Sequence, residues 1–598
     1  MSAANGRSAP LAGSPTERPV TAGVDIGGTF TDCVIHAPDG RVGFGKALST
    51  AADGYRGGFF NSLVAAGAQL GWDTLGGIVP SGIERIAHGS TVATNIVVEQ
   101  RGARVGLITT AGFEDTLLMM RGEGRMVGTP PEYTFDFVAA RKPEPLVPRS
   151  RICGAVERID SLGDVVVALD ERELARQVEQ LLAAGCEAFA VALLWSVANP
   201  AHELRAGELI AHMAPGAFVT LSHEISRAVG EYERTLAAVI NAYVGPETSS
   251  YLRAIDRELE RGGMHDGLML MQAHGGMAPV ERGVAFPIWT IGSGPVGGLV
   301  ATQRLAARLG LPDLIGADMG GTSFDVGIIK DGEPLMAAVS EVGRYRFRIP
   351  SVEVVSIDAG GGSIAWIDPH AMSLRVGPMS AGSSPGPACY GLGGTRPTVS
   401  DANLVLGYLD PAARFGTSRE GSIQPDRELA VTAIATVAEP LGLSVLDAAL
   451  GIVEIANSRM ANLLENMVVG RGLDPRDFTL VAYGGSGPLH AAALAEALGA
   501  AAVIVPGEVS SVWSAYGIAA ADLRFQADAE VALLEPFAVG ELAVVVRELE
   551  TSSTAREALA NATQPVDERV VLRLRYQWQR NSLEVALAGP LGAWVSNS

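Results

Sequence analysis

Cysteine is scarce in this chain: four in 598 residues, Cys33, Cys153, Cys186 and Cys389, widely scattered and with no Cys-x-x-Cys pair. That argues against a disulfide framework and against a structural zinc site, and it fits a reducing, cytoplasmic setting. Basic residues are also short, 45 against 66 acids, for a formal net charge of −21. So acidic a protein repels phosphate polyanions at long range, and nucleic acid is not an expected partner. A nucleotide can still bind where backbone N–H groups, a metal ion or a local lysine or arginine reverse the field. No apolar run approaches the roughly 20 residues that span a bilayer, so no membrane partner is expected either. The opening "MSAANGRSAPLAGSPTERPV" lacks the apolar core of a signal peptide and reads as a flexible tail over 1–20. The nine histidines include no pair at metal-ligand helical spacing, and His202-Glu203 has no second histidine downstream.

What is present is glycine. The 72 glycines fall in discrete Gly-Gly turns and form no repeat of the collagen or linker kind. A length of 598 residues is too great for one core, so two to four domains are expected. One eight-residue pattern, D-x-G-G-T-x-x-D, occurs twice: in "VDIGGTFTDCVI" from Val24 to Ile35, and in "ADMGGTSFDVGI" from Ala317 to Ile328. The flanks repeat too. "AGVDI" reads as a strand, "GGT" as a tight turn and "FTDCVIHA" as a second strand, after which "PDG" turns the chain into "RVGFGKALS". In the second copy "LIGADM", "GGT", "SFDVGIIK", "DG" and "EPLMAAVS" follow the same order. The motif acids are 293 residues apart and the Asp-Gly turns 292, so a whole strand–turn–strand–turn–strand unit is duplicated. Two halves built on one meander are expected to face each other across a cleft.

The residue types suggest what such a cleft holds. Glycines let the backbone approach a ligand closely and take positive φ. Successive free N–H groups in a turn form an anion nest, to which the Thr29 or Thr322 hydroxyl adds a donor. Asp25 and Asp318, at the strand ends, are placed to hold Mg²⁺ through water or to orient a nucleophile. A pair of ordinary glycine hairpins is the bland alternative, and the matching flanks weigh against it.

Other motifs compete. "GSGPVG", Gly292 to Gly297, fits G-x-G-x-x-G after the strand-like "FPIWTI" and before a helix-like run, a dinucleotide-binding context with Asp318 as the acid. Against it, the twin acid Asp25 has no such loop before it. "GRVGFGKA", Gly40 to Ala47, nearly spells a P-loop, but ends in alanine where Mg²⁺ needs a hydroxyl and lies on a hairpin. "GSSPG", Gly382 to Gly386, has Pro385 where the helix after a nucleophile should start. Three further stretches stand out. "AHGSTVATNIVVEQRG" puts hydroxyl residues before a helix, with Ser90 or Thr91 as N-cap; "SIDAGGGSIAWID" is a third glycine turn ending a strand. "VAYGGSGPLHAAALAEALGA" reads as strand, glycine turn and alanine-rich helix with Pro488 in its first turn. A Gly-Gly turn opening a helix suits an adenosine pocket.

Together these stretches resemble the phosphate and adenosine motifs of the actin, sugar kinase and Hsp70-like ATPase fold. In detail "GVDIGGTFTD", "AHGSTVATN", "GADMGGTSFDVG", "SIDAGGGSIAWID", "VGPMSAGSSPGPACYGLGGTRPTVSDANLVLGYLD", "YGGSGPLHAAALAEALG" and "SAYGIAAADLR" resemble the hydantoinase A / 5-oxoprolinase family, from about residue 21 to 525. The resemblance implies an α/β fold of two duplicated actin-like ATPase halves facing a nucleotide cleft, plus a short, mainly β C-terminal segment. It implies an N-terminal domain over 21–205, a central ATPase domain over 215–525 and a partial C-terminal domain over 535–598. In that last segment "LRLRYQWQRNSLEVAL" resembles a family strand at Arg575, Tyr576 and Gln579, with Trp578 in place of the usual glycine and the chain ending early.

The family's chemistry implies ATP and Mg²⁺ as cofactors, and a hydantoinase B-like large subunit in a hetero-oligomer as partner. On this resemblance Gly27, Gly28, Thr29, Gly320, Gly321 and Thr322 cradle phosphates, and Asp25 and Asp318 manage Mg²⁺ and the in-line geometry. Thr31, Asp32 and Asp325 support them or merely pin the hairpins. Gly484, Gly485 and Ser486 line the adenosine pocket. His88, Thr91, Asn95, Asp358 and Gly361 lie on the substrate side. The long Gly/Pro/Ser loop belongs to the cleft or to the partner face, and Cys389 has no chemical role distinguishable from packing. The implied activity is ATP-dependent opening of a cyclic amide such as a hydantoin or 5-oxoproline, with ketone carboxylation as the alternative. An NAD-binding oxidoreductase and a non-enzymatic ATP-gated scaffold are the readings of other classes.

Overall fold

The computed structural model describes residues 20–28, 30–49, 55–128, 141–227, 229–264, 267–337, 339–415, 422–529, 531, 533, 539–561, 566–574, 576 and 583–587. Thr29, Arg575, Gln579 and nearly all of the 1–20 tail lie outside them.

Both meanders form as the turn chemistry expects. Thr21–Ile26 pairs antiparallel with Phe30–His36, which pairs antiparallel with Val42–Leu48. In the second copy Leu314–Met319 pairs antiparallel with Phe324–Lys330, and that strand with Glu333–Pro334. The Asp331-Gly332 turn carries two positive φ values, 53° and 81°, the conformation that a two-residue hairpin of right-handed twist requires. Each meander then gains two parallel strands on its first-strand side: Arg85–Ser90 and Leu268–Met271 in the first sheet, Thr479–Tyr483 and Ala502–Ile504 in the second. The two sheets therefore share one strand order, three antiparallel then two parallel. This is the duplicated actin-like α/β architecture that the resemblance implies.

Between Arg85–Ser90 and Leu268–Met271 the first half carries an inserted layer. Its four strands, in the order Phe218–Leu221, Ala188–Ala192, Val105–Thr110, Ile152–Ala155, are all parallel. Helices Glu171–Ala183 and Ala201–Met213 cover this sheet, the first capped by the Asp170 carboxylate on the Arg172 and Glu173 amides. His202 and Glu203 belong to this layer's interior. Glu203 accepts from the Leu193 and His223 amides, Ser222 and the His223 ring, while His202 Nδ1 lies 2.7 Å from Glu157. These histidines are structural.

Two helices pack between the main sheets, Ser293–Leu309 and Trp513–Ala520, and they cross in backbone contact. A Cβ on Gly517 would lie 1.8 Å from the Gly297 carbonyl, and one on Gly23 2.1 Å from the Ala515 carbonyl. A third helix, Arg56–Leu70, covers the other face of the first sheet. Cβ atoms on Gly43 and Gly45 would meet its backbone at 2.4 and 1.9 Å, from Ala66 and Ser62. The P-loop-like spelling "GRVGFGKA" is thus a strand whose alternate glycines admit a helix. The C-terminal segment carries its expected β component, Val571–Leu574 paired antiparallel with Leu583–Ala586, behind helices Val539–Glu550 and Ser553–Asn561. No single helix among the described residues is long and apolar enough to cross a membrane.

Candidate active site

The duplicated turns close alike. Gly27 N–H donates to the Phe30 carbonyl at 3.0 Å, and Gly320 N–H to the Ser323 carbonyl at 3.1 Å. Register then sets the motif acids side by side, Asp25 opposite Asp32 and Asp318 opposite Asp325. The expectation that these glycines need positive φ is not met: Gly27, Gly28 and Gly320 keep ordinary φ. Their use is clearance. A Cβ on Gly28 or Gly320 would meet nothing within 4 Å, and Gly28, Gly321 and Thr322 are exposed. Gly28→Ala is therefore expected to leave the melting temperature within about 1 °C, yet weaken nucleotide binding by placing a methyl where the turn is bare; calorimetric titration beside a thermal melt checks both halves.

The acids of both motifs act on Asp25 and on Asp318. Burial, then the charges of Asp32 and Asp318, pushes Asp25 up to about 8. Burial, then the Asp325 charge, pushes Asp318 up to about 7. Asp32 and Asp325 are raised as well, chiefly by burial. Asp25 Oδ1 is buried and accepts no hydrogen bond, although the residue as a whole lines the partly exposed wall. Asp318 Oδ2 accepts from Ser514 Oγ at 3.2 Å, a group on the crossing helix. Hard carboxylate oxygens, Asp25 Oδ1 without a partner and Asp318 Oδ2 held by one hydroxyl, fit a divalent cation. Among the described residues no three His, Cys, Asp or Glu side chains converge to ligate a metal directly, so the fit is to an ion that keeps most of its waters.

Strand Thr479–Tyr483 ends in the expected glycine turn and helix, Gly487–Leu498, with proline in its first turn. Here positive φ is real: Gly484 has φ 84°, and a Cβ on it would sit 2.2 Å from Asp318 Oδ1. The Ser486 amide donates to the Met319 carbonyl at 2.9 Å, so the three residues Gly484, Gly485 and Ser486 abut the second motif. The third glycine turn joins them. Gly361 and Gly362 amides donate to the Gly320 and Gly321 carbonyls at 3.0 and 2.7 Å, and the Gly361 Cβ position is 2.7 Å from Ser486 Oγ. Gly361 thus backs the second motif turn, where a separate substrate side had been expected; Asp358, just before it, is exposed.

The His88 expectation is corrected. Its ring is 1 % exposed, with Nδ1 3.2 Å from the Val24 carbonyl and Nε2 2.9 Å from the Tyr251 hydroxyl. Burial lowers it to about 4, so it is a neutral core residue behind the first strand. Thr91 does reach the motif, donating to the Ile26 carbonyl at 3.1 Å, while Ser90 Oγ accepts from the Val92 amide. Asn95 is half-buried on the helix Val92–Val98. Thr31 turns away from the cleft to Ser49, at 2.9 Å. The long loop starts at the third glycine turn, where the Ala381 amide donates to the Gly362 carbonyl, and ends in the Thr398–Asp401 capping box. Cys389 is buried there, its amide on Asp401 at 2.7 Å and its thiol pushed far up by burial, which makes it inert packing.

The dinucleotide reading of "GSGPVG" fails on local structure. A 3-10 turn, Pro287–Thr290, precedes it where a strand was expected, and Gly292 caps the helix in the left-handed region at φ 79°. The helix start faces Asp25: a Cβ on Gly294 would lie 2.9 Å from Oδ1.

Sequence reasoning passed over Lys46. Its Nζ lies 2.6 Å from Asp32 Oδ1 and 3.4 Å from the Ser511 carbonyl. The signal was available, because a hairpin centred on Asp39 places position 46 opposite position 32. Ser514, by contrast, leaves no sequence trace of its contact with Asp318.

The chain matches the family pattern described as hydantoinase/oxoprolinase over residues 234–527, and that of its N-terminal region over 21–214. It is 37% identical over 557 residues to caprolactamase subunit alpha of Pseudomonas jessenii, covering 92% of this chain and 75% of that subunit. The chain belongs to the hydantoinase/oxoprolinase family. Two solved structures share its fold along nearly the whole length. One is the crystal structure of the ATP-dependent caprolactamase from Pseudomonas jessenii, with TM-score 0.79 and 33% identity over 96% of this chain and 83% of that one. The other is a nucleotide-free acetone carboxylase, from work on ATP-dependent acetone carboxylation, with TM-score 0.80 and 30% identity over 97% and 83%.

Proposed function

We propose that this family member binds ATP·Mg²⁺ between its two halves and phosphorylates the carbonyl oxygen of a cyclic amide, as one subunit of a cytoplasmic hetero-oligomer. The observation that carries the reading is the facing of two Asp-x-Gly-Gly-Thr hairpins, close enough that carboxylates of both act on Asp25 and on Asp318. The exposed Gly28, Gly321 and Thr322 receive the phosphates, on turns that the Gly27 and Gly320 amides close from within, and Thr29 is the first motif's counterpart of Thr322. Asp25 and Asp318 would hold a hydrated Mg²⁺, which would supply charge neutralisation to the phosphates. Gly484, Gly485 and Ser486 receive the adenosine.

An amide carbonyl is a poor electrophile and its oxygen a poor leaving group. The carbonyl oxygen forms a bond to the γ-phosphorus as the bridge to ADP breaks, leaving a phosphorylated imidate. Water then adds to the carbon and the ring C–N bond breaks, the added water's proton passing to the departing nitrogen and an acyl phosphate remaining; a second water releases the carboxylate and inorganic phosphate. Pseudomonas jessenii caprolactamase, whose name specifies a lactam, and its ATP dependence support this choice. The second reading, activation of a ketone for carboxylation, is supported by the comparable likeness to acetone carboxylase.

A hydantoinase B-like large subunit completes the ring opening, so the isolated chain is expected to show little net hydrolysis of any lactam. The reconstituted complex, given hydantoin, 5-oxoproline, caprolactam, acetone and acetophenone in CO₂-stripped buffer and then with bicarbonate restored, should consume ATP with a cyclic amide irrespective of bicarbonate. ATP consumption only with a ketone and bicarbonate together would transfer the protein to the carboxylases.

A further inference from the structure

The two halves are built alike but are not charged alike. In the first, Lys46 stands opposite Asp32 and pairs with it at 2.6 Å. In the second, Asp325 has no ammonium in that place: it accepts from Ser323 Oγ at 3.0 Å and from Ser356 Oγ. Lys46 also reaches across the halves to the Ser511 carbonyl, at 3.4 Å. Ser511 belongs to the turn Gly507–Val512, which leads into the helix that lays Ser514 on Asp318. The ammonium acts on Asp25, Asp32 and Asp318 alike, favouring the charged form of each. Its side chain stays 18% exposed, 5.1 Å from the Phe30 ring centre.

A triphosphate entering a wall of four carboxylates meets repulsion that backbone N–H groups only partly offset. A lysine on a flexible four-carbon stem, parked on a carboxylate beside the entry, is a movable point charge suited to phosphate. Among the described residues no ammonium takes that place in the second half, whose acid is held by hydroxyls. The duplicated cleft is therefore asymmetric, and the asymmetry assigns a polarity to the nucleotide.

We propose that Lys46 exchanges Asp32 for the terminal phosphate of a nucleoside triphosphate, so that the first hairpin distinguishes triphosphate from diphosphate. The inference rests on the ATP reading above. The test is the ratio of ADP to ATP dissociation constants, measured by calorimetry with Mg²⁺ on the wild-type chain and on Lys46→Met, Lys46→Arg and Asp32→Asn. Lys46→Met should weaken ATP by roughly 10- to 100-fold, with ADP moved by no more than about threefold. Lys46→Arg should recover part of the loss. Asp32→Asn breaks the same ion pair but frees the ammonium, and should shift the ratio toward ATP. A merely structural ion pair would make Lys46→Met and Asp32→Asn behave alike. An unchanged ratio in Lys46→Met, or equal shifts in both variants, overturns the proposal. Lys46→Gln, which retains a donor for Asp32, replaces the methionine variant if that one does not fold. Wild-type chain that binds neither nucleotide overturns the ATP reading itself, and this inference with it.

Discussion

Asp318→Asn should slow turnover severely while making the nucleotide-free protein more stable. The loss of rate is expected at about 10²- to 10³-fold, with ATP affinity changed far less, because the carboxylate works on charge that develops as the phosphoryl group moves. The gain in stability follows from the proton. The folded-state value, about 7, lies above the ordinary 3.8, so the stabilisation is fully present below pH ~4 and is lost as the pH climbs through 7. For Asp25 the window extends to about 8. Wild-type melting temperature without nucleotide should therefore fall between pH 4 and 8 relative to Asp25→Asn and Asp318→Asn. The gap at pH 8 amounts to up to about 3 kcal/mol after allowing for the solvent that reaches the cleft wall. Excess ATP·Mg²⁺ should reverse the order, since only the wild type gains its full binding energy. Melting curves across pH, with and without nucleotide, decide the matter. Asparagine variants less stable than wild type at pH 8 without nucleotide would mean that the acids are satisfied within the fold and await no ligand.

Gly517→Val should be the most damaging single change outside the acids. Even the first side-chain carbon would lie 1.8 Å from the Gly297 carbonyl and 2.8 Å from the Ala301 amide, and both are helix backbone that cannot step aside. The crossing helices must part, and with them the seat of Ser514 on Asp318 and the packing of Ala515 against Gly23. A cost of at least ~3 kcal/mol is expected, the upper range for overpacking a filled core, together with loss of nucleotide binding. Thermal melting and protease sensitivity of Gly517→Ala and Gly517→Val, set against Gly28→Ala, check it. If Gly517→Val melted like Gly28→Ala, the two helices would not cross in contact in solution.

Local chemistry made much of this protein legible without coordinates. The duplicated hairpins follow from turn residues and alternation within some 30 residues of chain, and both formed where expected. The strand, Gly484 turn and helix of 479–498 were equally local, since Pro488 and a run of alanines start a helix wherever a strand delivers them. Even the Lys46–Asp32 pair could have been counted out from the Asp39-Gly40 turn.

What only the tertiary structure decided was the set of contacts between segments far apart in sequence. His88 looked like a cleft residue, but the phenol of Tyr251 and the Val24 carbonyl take both ring nitrogens and hold it in the core. The third glycine turn looked like a substrate element, but it lies on the second motif through the Gly320 and Gly321 carbonyls. "GSGPVG" looked like a dinucleotide loop, and its last glycine is instead the place where one helix backbone touches another. A glycine written in a sequence states that space is needed; whether a phosphate, a helix or a turn fills it depends on what the rest of the chain brings to that point.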